Sequence, residues 1–285
     1  MLKFLNSKKN QKINEYLIGD YKISIPPNYA LPGFQENFKL YDRFLPILVK
    51  HFKSNGCIID IGANIGDTAI AMVQNCSNQI VCIEPSEIFY PYLESNLSML
   101  SMEHRKKIQT IKKFIGSGNI SGVLQHSEVG TASIKISERE SSIKYFKLDD
   151  IIKEHENIQL IKVDTDGFDF DVIQSAENIL NKSQPILFWE NEIFEEFQLI
   201  GFQNLYEKLE NFGYEYIYIF DNYGNIIVEK TEYKTLIDLN NYLFSMRNNG
   251  CTRTFYYTDI LAGTQKNHQI IEEAIRYYKN NLING

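Results

Sequence analysis

From about Cys57 onward, apolar residues follow two alternating rhythms. Short, largely β-branched runs, "GCIIDIG", "QIVCIEP", "IQTIKKFIG", "NIQLIKVD" and "QPILFWEN", read as strands. Between them, "GDTAIAMVQNC", "SEIFYPYLESNLSML", "FDVIQSAENILNK" and "EIFEEFQLIGFQNLYEKLENFG" repeat apolar residues three and four apart and read as helices. The segment "GVLQHSEVGTASIKI" interrupts the series as a strand-and-turn region. Repeated strand–helix–strand units imply an α/β fold: a mostly parallel sheet with helices on both faces.

The flanks differ. Before the array, "YKISIPPNYALPG" predicts a short strand or hairpin followed by a loop. Residues 36–54 place Phe38, Tyr41, Leu45, Leu48 and Phe52 at helical spacing, with Pro46 as a start or kink. After the array, "YEYIYIFDNYGNIIVEK" is two strand-like runs about a Tyr-Gly-Asn turn, a hairpin signal. A helix over 232–247, an extended run "TRTFYYTDIL" and a last helix over 267–281 complete the pattern. No repeat or linker divides the chain. The expected organisation is an extension over 1–54 packed on a core of 55–231, with 232–285 added to the same domain.

Composition removes several classes of function. A chain of 285 residues buries a large core without staples. A net charge of −7 argues against a nucleic-acid partner. Cys57, Cys76, Cys82 and Cys251 form no C-x-x-C pair, so no zinc site is expected, and Cys57 and Cys82 sit in apolar runs as core residues. No stretch approaches the roughly 18 apolar residues of a membrane span. With no apolar leader run at the N-terminus, a cytoplasmic location is expected.

The chemistry starts at "IIDIGANIGDTAI". Ligands of open parallel sheets bind at the carboxyl ends of the strands. Gly62 and Gly66 let the backbone turn sharply and approach a ligand, although a tight turn without a ligand is the plain alternative. The next strand also ends in an acid, Glu84, and an acid there accepts both ribose hydroxyls of an adenosine. A dinucleotide fits poorly. Its fingerprint needs glycine at the first, third and sixth positions, and the last two hold Asn64 and Asp67. A cationic ligand without phosphate suits Asp60 and Asp67 better, and S-adenosylmethionine (SAM) is such a ligand.

The ordered series carries a resemblance. "IIDIGANIGDTAI" and "CIEPSEIFYPYLESNL" resemble the first two motifs of class I SAM-dependent methyltransferases. More narrowly, "FKLDDII", "LIKVDTDGFDFDVIQSAENIL" and "PILFWE" resemble the FkbM family, over about residues 57–192. The departures are "TDGFD" for the usual V-E-G-A-E, and Ser175 where glycine is common. The resemblance implies a Rossmann-like, seven-stranded, mostly parallel sheet with an antiparallel last strand, which the "YEYIYIFDNYGNIIVEK" hairpin is expected to supply. It implies that Gly62, Ala63, Asn64 and Gly66 line the methionine end of SAM, that Asp60 faces its amino group and that Glu84 takes the ribose. Phe114 and Ile115 become adenine contacts, with core packing as the competing reading.

The acids at the ends of the fourth and fifth strands are the candidates for chemistry. Asp164 and Asp166 follow "LIKV", and Glu190 and Asn191 follow "ILFW". Asp164, Asp166 and His126 are the candidate proton acceptors, His126 because its strand-and-turn region is placed to overhang the site. Asp164, Glu190 and Asn191 resemble the acid, acid, amide set of metal-dependent O-methyltransferases, and such oxygen ligands suit Mg²⁺ or Mn²⁺. Structural readings compete elsewhere. Asp169 and Asp171 offset a helix dipole, Asp149 and Asp150 cap an apolar run, His104 is solvated and Trp189 is core. The family resemblance implies O-methylation of a small molecule. The expected acceptor is a sugar hydroxyl, free or nucleotide-linked, for a bacterial surface glycan, docked in part by the aromatic tail "TRTFYY". The alternatives are a small lipid or polyketide acceptor, or a SAM-binding subunit without activity.

Overall fold

The computed structural model describes residues 15–53, 55–118, 122–126, 132–136 and 143–283, with the backbone alone for 122–126 and 132–136. The alternating pattern folds into one large sheet. Its strands are β1 (Cys57–Ile61), β2 (Gln79–Ile83), β3 (Ile108–Ile111), β4 (Ile158–Val163), β5 (Ile186–Asn191), β6 (Tyr216–Asp221), β7 (Ile226–Thr231) and β8 (Thr258–Gly263). They lie in the order β7-β6-β8-β5-β4-β1-β2-β3. The five strands β1 to β5 run parallel, and β8 is antiparallel to both of its neighbours, β5 and β6.

The period of two along each strand divides the core into two layers. Ile58, Leu160, Ile186 and Leu261 face helices Phe44–Lys50, Asp67–Val73, Phe89–Ser98 and His268–Tyr278. Ile59, Ile161, Leu187 and Ile260 face helices Asp169–Gln174, Glu177–Ser183, Glu196–Asn211 and Tyr233–Asn248. Both faces are therefore covered, as near-continuous apolar runs in parallel strands require. Among the described residues no helix is long and apolar enough to cross a membrane.

Two elements differ from the sequence pattern. Residues 36–54 do not form one helix: Leu31–Asn37 and Phe44–Lys50 are separate, with Asp42 between them at φ +57°. Proline lacks an N–H and is accommodated in a first turn, so the second helix begins just before Pro46. The intervening segment folds over the carboxyl ends of the strands instead. The expected hairpin does supply a reversed strand, β7, but only at the edge; the strand reversed inside the sheet comes from elsewhere. It is β8, from the "TRTFYYTDIL" stretch, inserted between β5 and β6, while β7 adds an eighth strand at the edge. Because β8 runs backwards, its first residues, not its last, lie beside the carboxyl ends of the parallel strands.

Candidate active site

A cavity of about 240 Å³ opens at those carboxyl ends. Its lining joins the glycine loop, the acids after β2 and β4, Glu190 near the end of β5, the segment over residues 29–45 and the start of β8.

At one end stands the loop after β1. Gly62, Asn64 and Gly66 all have positive φ, at +73°, +49° and +87°. The N–H groups of Gly62 and Ala63 donate to Ile83 O at 2.9 and 3.1 Å, which ties the loop to β2. The glycines are required first by the protein itself. A Cβ on Gly62 would collide with the backbone carbonyl of Asp164, and one on Gly66 would come within 2.7 Å of Leu93 Cδ1. Glu84 is anchored at both oxygens: the N–H of Asn64 donates to Oε2 and the N–H of Ser86 to Oε1, each at 2.8 Å. Burial nonetheless pushes its carboxyl up to about 7, against the pull of those two donors. Asp67, in the first turn of the following helix, also lines the cavity, and burial raises its carboxyl.

Asp60 occupies a different place from the one expected. It is fully buried below the loop and pairs with Lys162, Nζ to Oδ1 at 3.2 Å. The same ammonium reaches Asp164 Oδ2 at 3.3 Å and donates to Gly62 O at 3.0 Å. Burial alone would lower the Lys162 pKa, but Asp60 and Asp164 outweigh it and hold the group above its ordinary value. Asp60 acts on the loop through Lys162 rather than facing the cavity. Sequence reasoning missed Lys162, although a lysine inside the apolar run "LIKV" was the signal.

Phe114 lines the cavity beside Lys113, its ring edge-on to Tyr145 at 6.1 Å. The turn after it is fastened by Asp171, whose carboxylate accepts from the Ser117 N–H at 2.9 Å and from the Ser117 hydroxyl. Asp171 is thus a structural tie. Asp169 is another: fully buried, it accepts from the N–H and hydroxyl of Thr165 at 3.2 and 2.9 Å. Burial, then the charge of Asp164, raises its carboxyl to about 7. Asp149 does cap a helix, but by accepting from Asn178 and Ile179 at the start of Glu177–Ser183. His104 meets the Tyr21 hydroxyl at 2.7 Å, and Trp189 is fully buried.

At the other end of the cavity, Asp164, Asp166, Glu190 and Asp259 gather with Tyr41, Asp42, Phe188, Phe220 and Tyr257. Glu190 and Asp259 are direct cross-strand partners, and Phe220 is the partner of Asp259 on its other side. Burial, then the charge of Asp164, raises the carboxyls of both Glu190 and Asp259 well above the ordinary range. Tyr257 belongs to the "TRTFYY" stretch expected to dock the acceptor, whereas Asp259 escaped the sequence reading because only the reversal of β8 brings it here.

The expected Asp164–Glu190–Asn191 metal set fails at Asn191. Successive strand residues point to opposite faces. Asn191 is buried on the far face, where its amide donates to Asn240 Oδ1 at 2.6 Å and Thr258 Oγ1 at 3.2 Å, and its carbonyl accepts from the Tyr206 hydroxyl at 2.7 Å. The acids that do converge are Asp166, Glu190 and Glu192, whose carboxylate oxygens lie within 4.8 Å of one another. His126 ends a strand, Gly122–His126, that pairs with Ala132–Ile136; its side chain lies outside the described residues.

A family model described as the methyltransferase FkbM domain matches residues 60–216, more than half of the chain. No curated protein matched the sequence. Similar solved structures include methyltransferase FkbM from Methylobacillus flagellatus KT, at 14% identity and a TM-score of 0.41, over 82% of this chain and 58% of that one. An O-methyltransferase from Bacillus cereus in complex with SAH has 13% identity and a TM-score of 0.42, over 83% of this chain and 89% of that one. A putative O-methyltransferase from Klebsiella pneumoniae has 12% identity and a TM-score of 0.43, over 84% and 91%.

Proposed function

Since the chain belongs to the FkbM family of SAM-dependent methyltransferases, we propose that it methylates a hydroxyl of a sugar, as in the building of a bacterial surface glycan. The observation that carries this reading is one cavity with two unlike ends. One end is a glycine loop beside a doubly anchored acid. The other combines carboxylates with aromatic faces, a lining that accepts hydrogen bonds from hydroxyls and covers the flat side of a sugar ring. A lipid or polyketide acceptor would call for an apolar end, and Asp42, Asp164, Asp166, Glu190 and Asp259 line this one.

The residues at the loop end fit SAM. Glu84 presents a buried carboxylate to ribose hydroxyls, Gly62, Ala63, Asn64 and Gly66 shape the methionine end, Asp67 stands beside the cationic portion, and Phe114 flanks the adenine. Bound there, SAM supplies a methyl carbon already activated by its sulfonium. The protein's task is then to align the acceptor oxygen and remove its proton.

Asp164 is our candidate for the proton acceptor. It stands where the two ends meet: its carbonyl lies under Gly62, its side chain is half-exposed, and its charge is the strongest felt by Glu190 and Asp259. Release of S-adenosylhomocysteine from a panel of free and nucleotide-linked sugars tests the reading. Asp164→Asn is expected to lower kcat by about a hundredfold or more, the usual range for a lost general base, with SAM affinity within twofold of wild type. Undiminished turnover would remove Asp164 from the role.

A further inference from the structure

Glu190 and Asp259 stand opposite each other on adjacent strands and both face the cavity. Like charges directly opposite across a ladder are destabilising. Neither forms an ion pair among the described residues. Glu190 Oε2 is also sealed from solvent without a hydrogen-bond partner. Asp42 enlarges the negative field from the overlying segment, and its neighbour Arg43, which also lines the cavity, donates to Gln35 Oε1 at 3.1 Å and acts on Asp42. Glu192, by contrast, already feels Arg247 and Arg253. Tyr41 and Tyr257 share the cavity with the unpaired acids, and the charges of Glu190 and Asp259 reach both phenols.

An acid pair flanked by aromatic rings is the arrangement that binds an ammonium group, through charge-assisted hydrogen bonds and cation–π attraction. It repels a diphosphate. Resting on the assignment of this end to the acceptor, we propose that the acceptor carries a protonated amine near the hydroxyl to be methylated, held by Glu190 and Asp259 between the rings of Tyr41 and Tyr257. The acceptor class is then an amino-sugar or aminocyclitol and not a nucleotide-diphosphate sugar.

The test measures S-adenosylhomocysteine release with glucosamine, 2-deoxystreptamine, N-acetylglucosamine and UDP-glucose. The amine and its acetylated counterpart differ in the charge under test. The expected result is turnover of a free amine with kcat/KM at least tenfold above that of N-acetylglucosamine and of UDP-glucose. Asp259→Asn and Glu190→Gln should each shrink that preference while leaving SAM affinity unchanged. Equal or faster turnover of N-acetylglucosamine or UDP-glucose overturns the inference and leaves sugar methylation standing. No turnover of any of the four, with SAM still bound, overturns both.

Discussion

Lys162 stands directly across from Asp60 on the neighbouring parallel strand, its ammonium 3.2 Å from a fully buried carboxylate. A second acid, Asp164, lies 3.3 Å away on the same ammonium, and the carbonyl of Gly62 completes its contacts. One buried cation therefore fastens the glycine loop to the end of β4. The two ends of the cavity share a floor.

Removing one partner of a buried pair leaves the other charge uncompensated, at a cost of about 3–5 kcal/mol. Lys162→Met is expected to lose stability on that scale. Asp60→Asn combined with Lys162→Met should be more stable than Lys162→Met alone, because the double variant buries no lone charge. Urea unfolding at neutral pH measures both. A double variant no more stable than the single one would mean that the pair is not coupled.

Gly62 carries a prediction about folding before ligand binding. A side chain at φ +73° is strained, by roughly 1–2 kcal/mol, and its Cβ would meet the Asp164 carbonyl. Gly62→Ala is expected to lower the melting temperature of the ligand-free protein by several degrees or more. Gly33→Ala, where an added Cβ meets nothing within 4 Å, is the control. An unchanged melting temperature in Gly62→Ala, with SAM protection lost, would show that the glycine serves the ligand alone.

Donor binding should depend on pH through Glu84. Its carboxyl is raised to about 7 by burial. Relative to the unfolded chain, this contribution to stability is complete at low pH and is lost as pH rises through the folded value. Binding has the opposite sign, since only the ionised carboxylate accepts from both ribose hydroxyls. SAM affinity is expected to strengthen between pH of about 6 and about 8, and the slope should flatten in Glu84→Gln. A wild-type affinity that is constant or falls over that range would contradict the assignment.

Chelation distinguishes the acids' occupants. With Asn191 committed to Tyr206, Asn240 and Thr258, and with Glu190 and Asp259 assigned to an ammonium, turnover is expected to survive exhaustive EDTA treatment. Added Mg²⁺ or Mn²⁺ should change the rate by less than about twofold. Activity lost on chelation and restored by Mn²⁺ would instead assign Asp166, Glu190 and Glu192 to a divalent ion.

What could be read in the sequence was local. The strand ends at Asp60, Glu84, Asp164 and Glu190, and the turn between them at Gly62, follow from runs of β-branched residues meeting polar ones. Their neighbours across the sheet did not, because pairing order is not chain order. Tyr257 and Asp259 looked like part of a tail until β8 entered between β5 and β6 in reverse. Tyr41 and Asp42 were hidden by a spacing that mimics a helix while Pro46 and the positive φ of Asp42 divide it. Asn191 was grouped with Glu190 by adjacency, which in a strand means opposite faces. Lys162 was visible only as a polar residue in an apolar run, and its partner became evident only from the register of β4 on β1.

The central claim is that the glycine-loop end of the cavity holds SAM through Glu84. Calorimetric titration with S-adenosylhomocysteine, which shares the adenosine, tests it most directly. The expected result is one site per chain in the wild type and at least about tenfold weaker binding in Glu84→Ala, the loss of one or two charge-assisted hydrogen bonds of roughly 1.5–3 kcal/mol each, in a variant that still unfolds cooperatively although the N–H groups of Asn64 and Ser86 lose their acceptor. Binding of equal strength in wild type and Glu84→Ala, or no binding in the wild type, would contradict it.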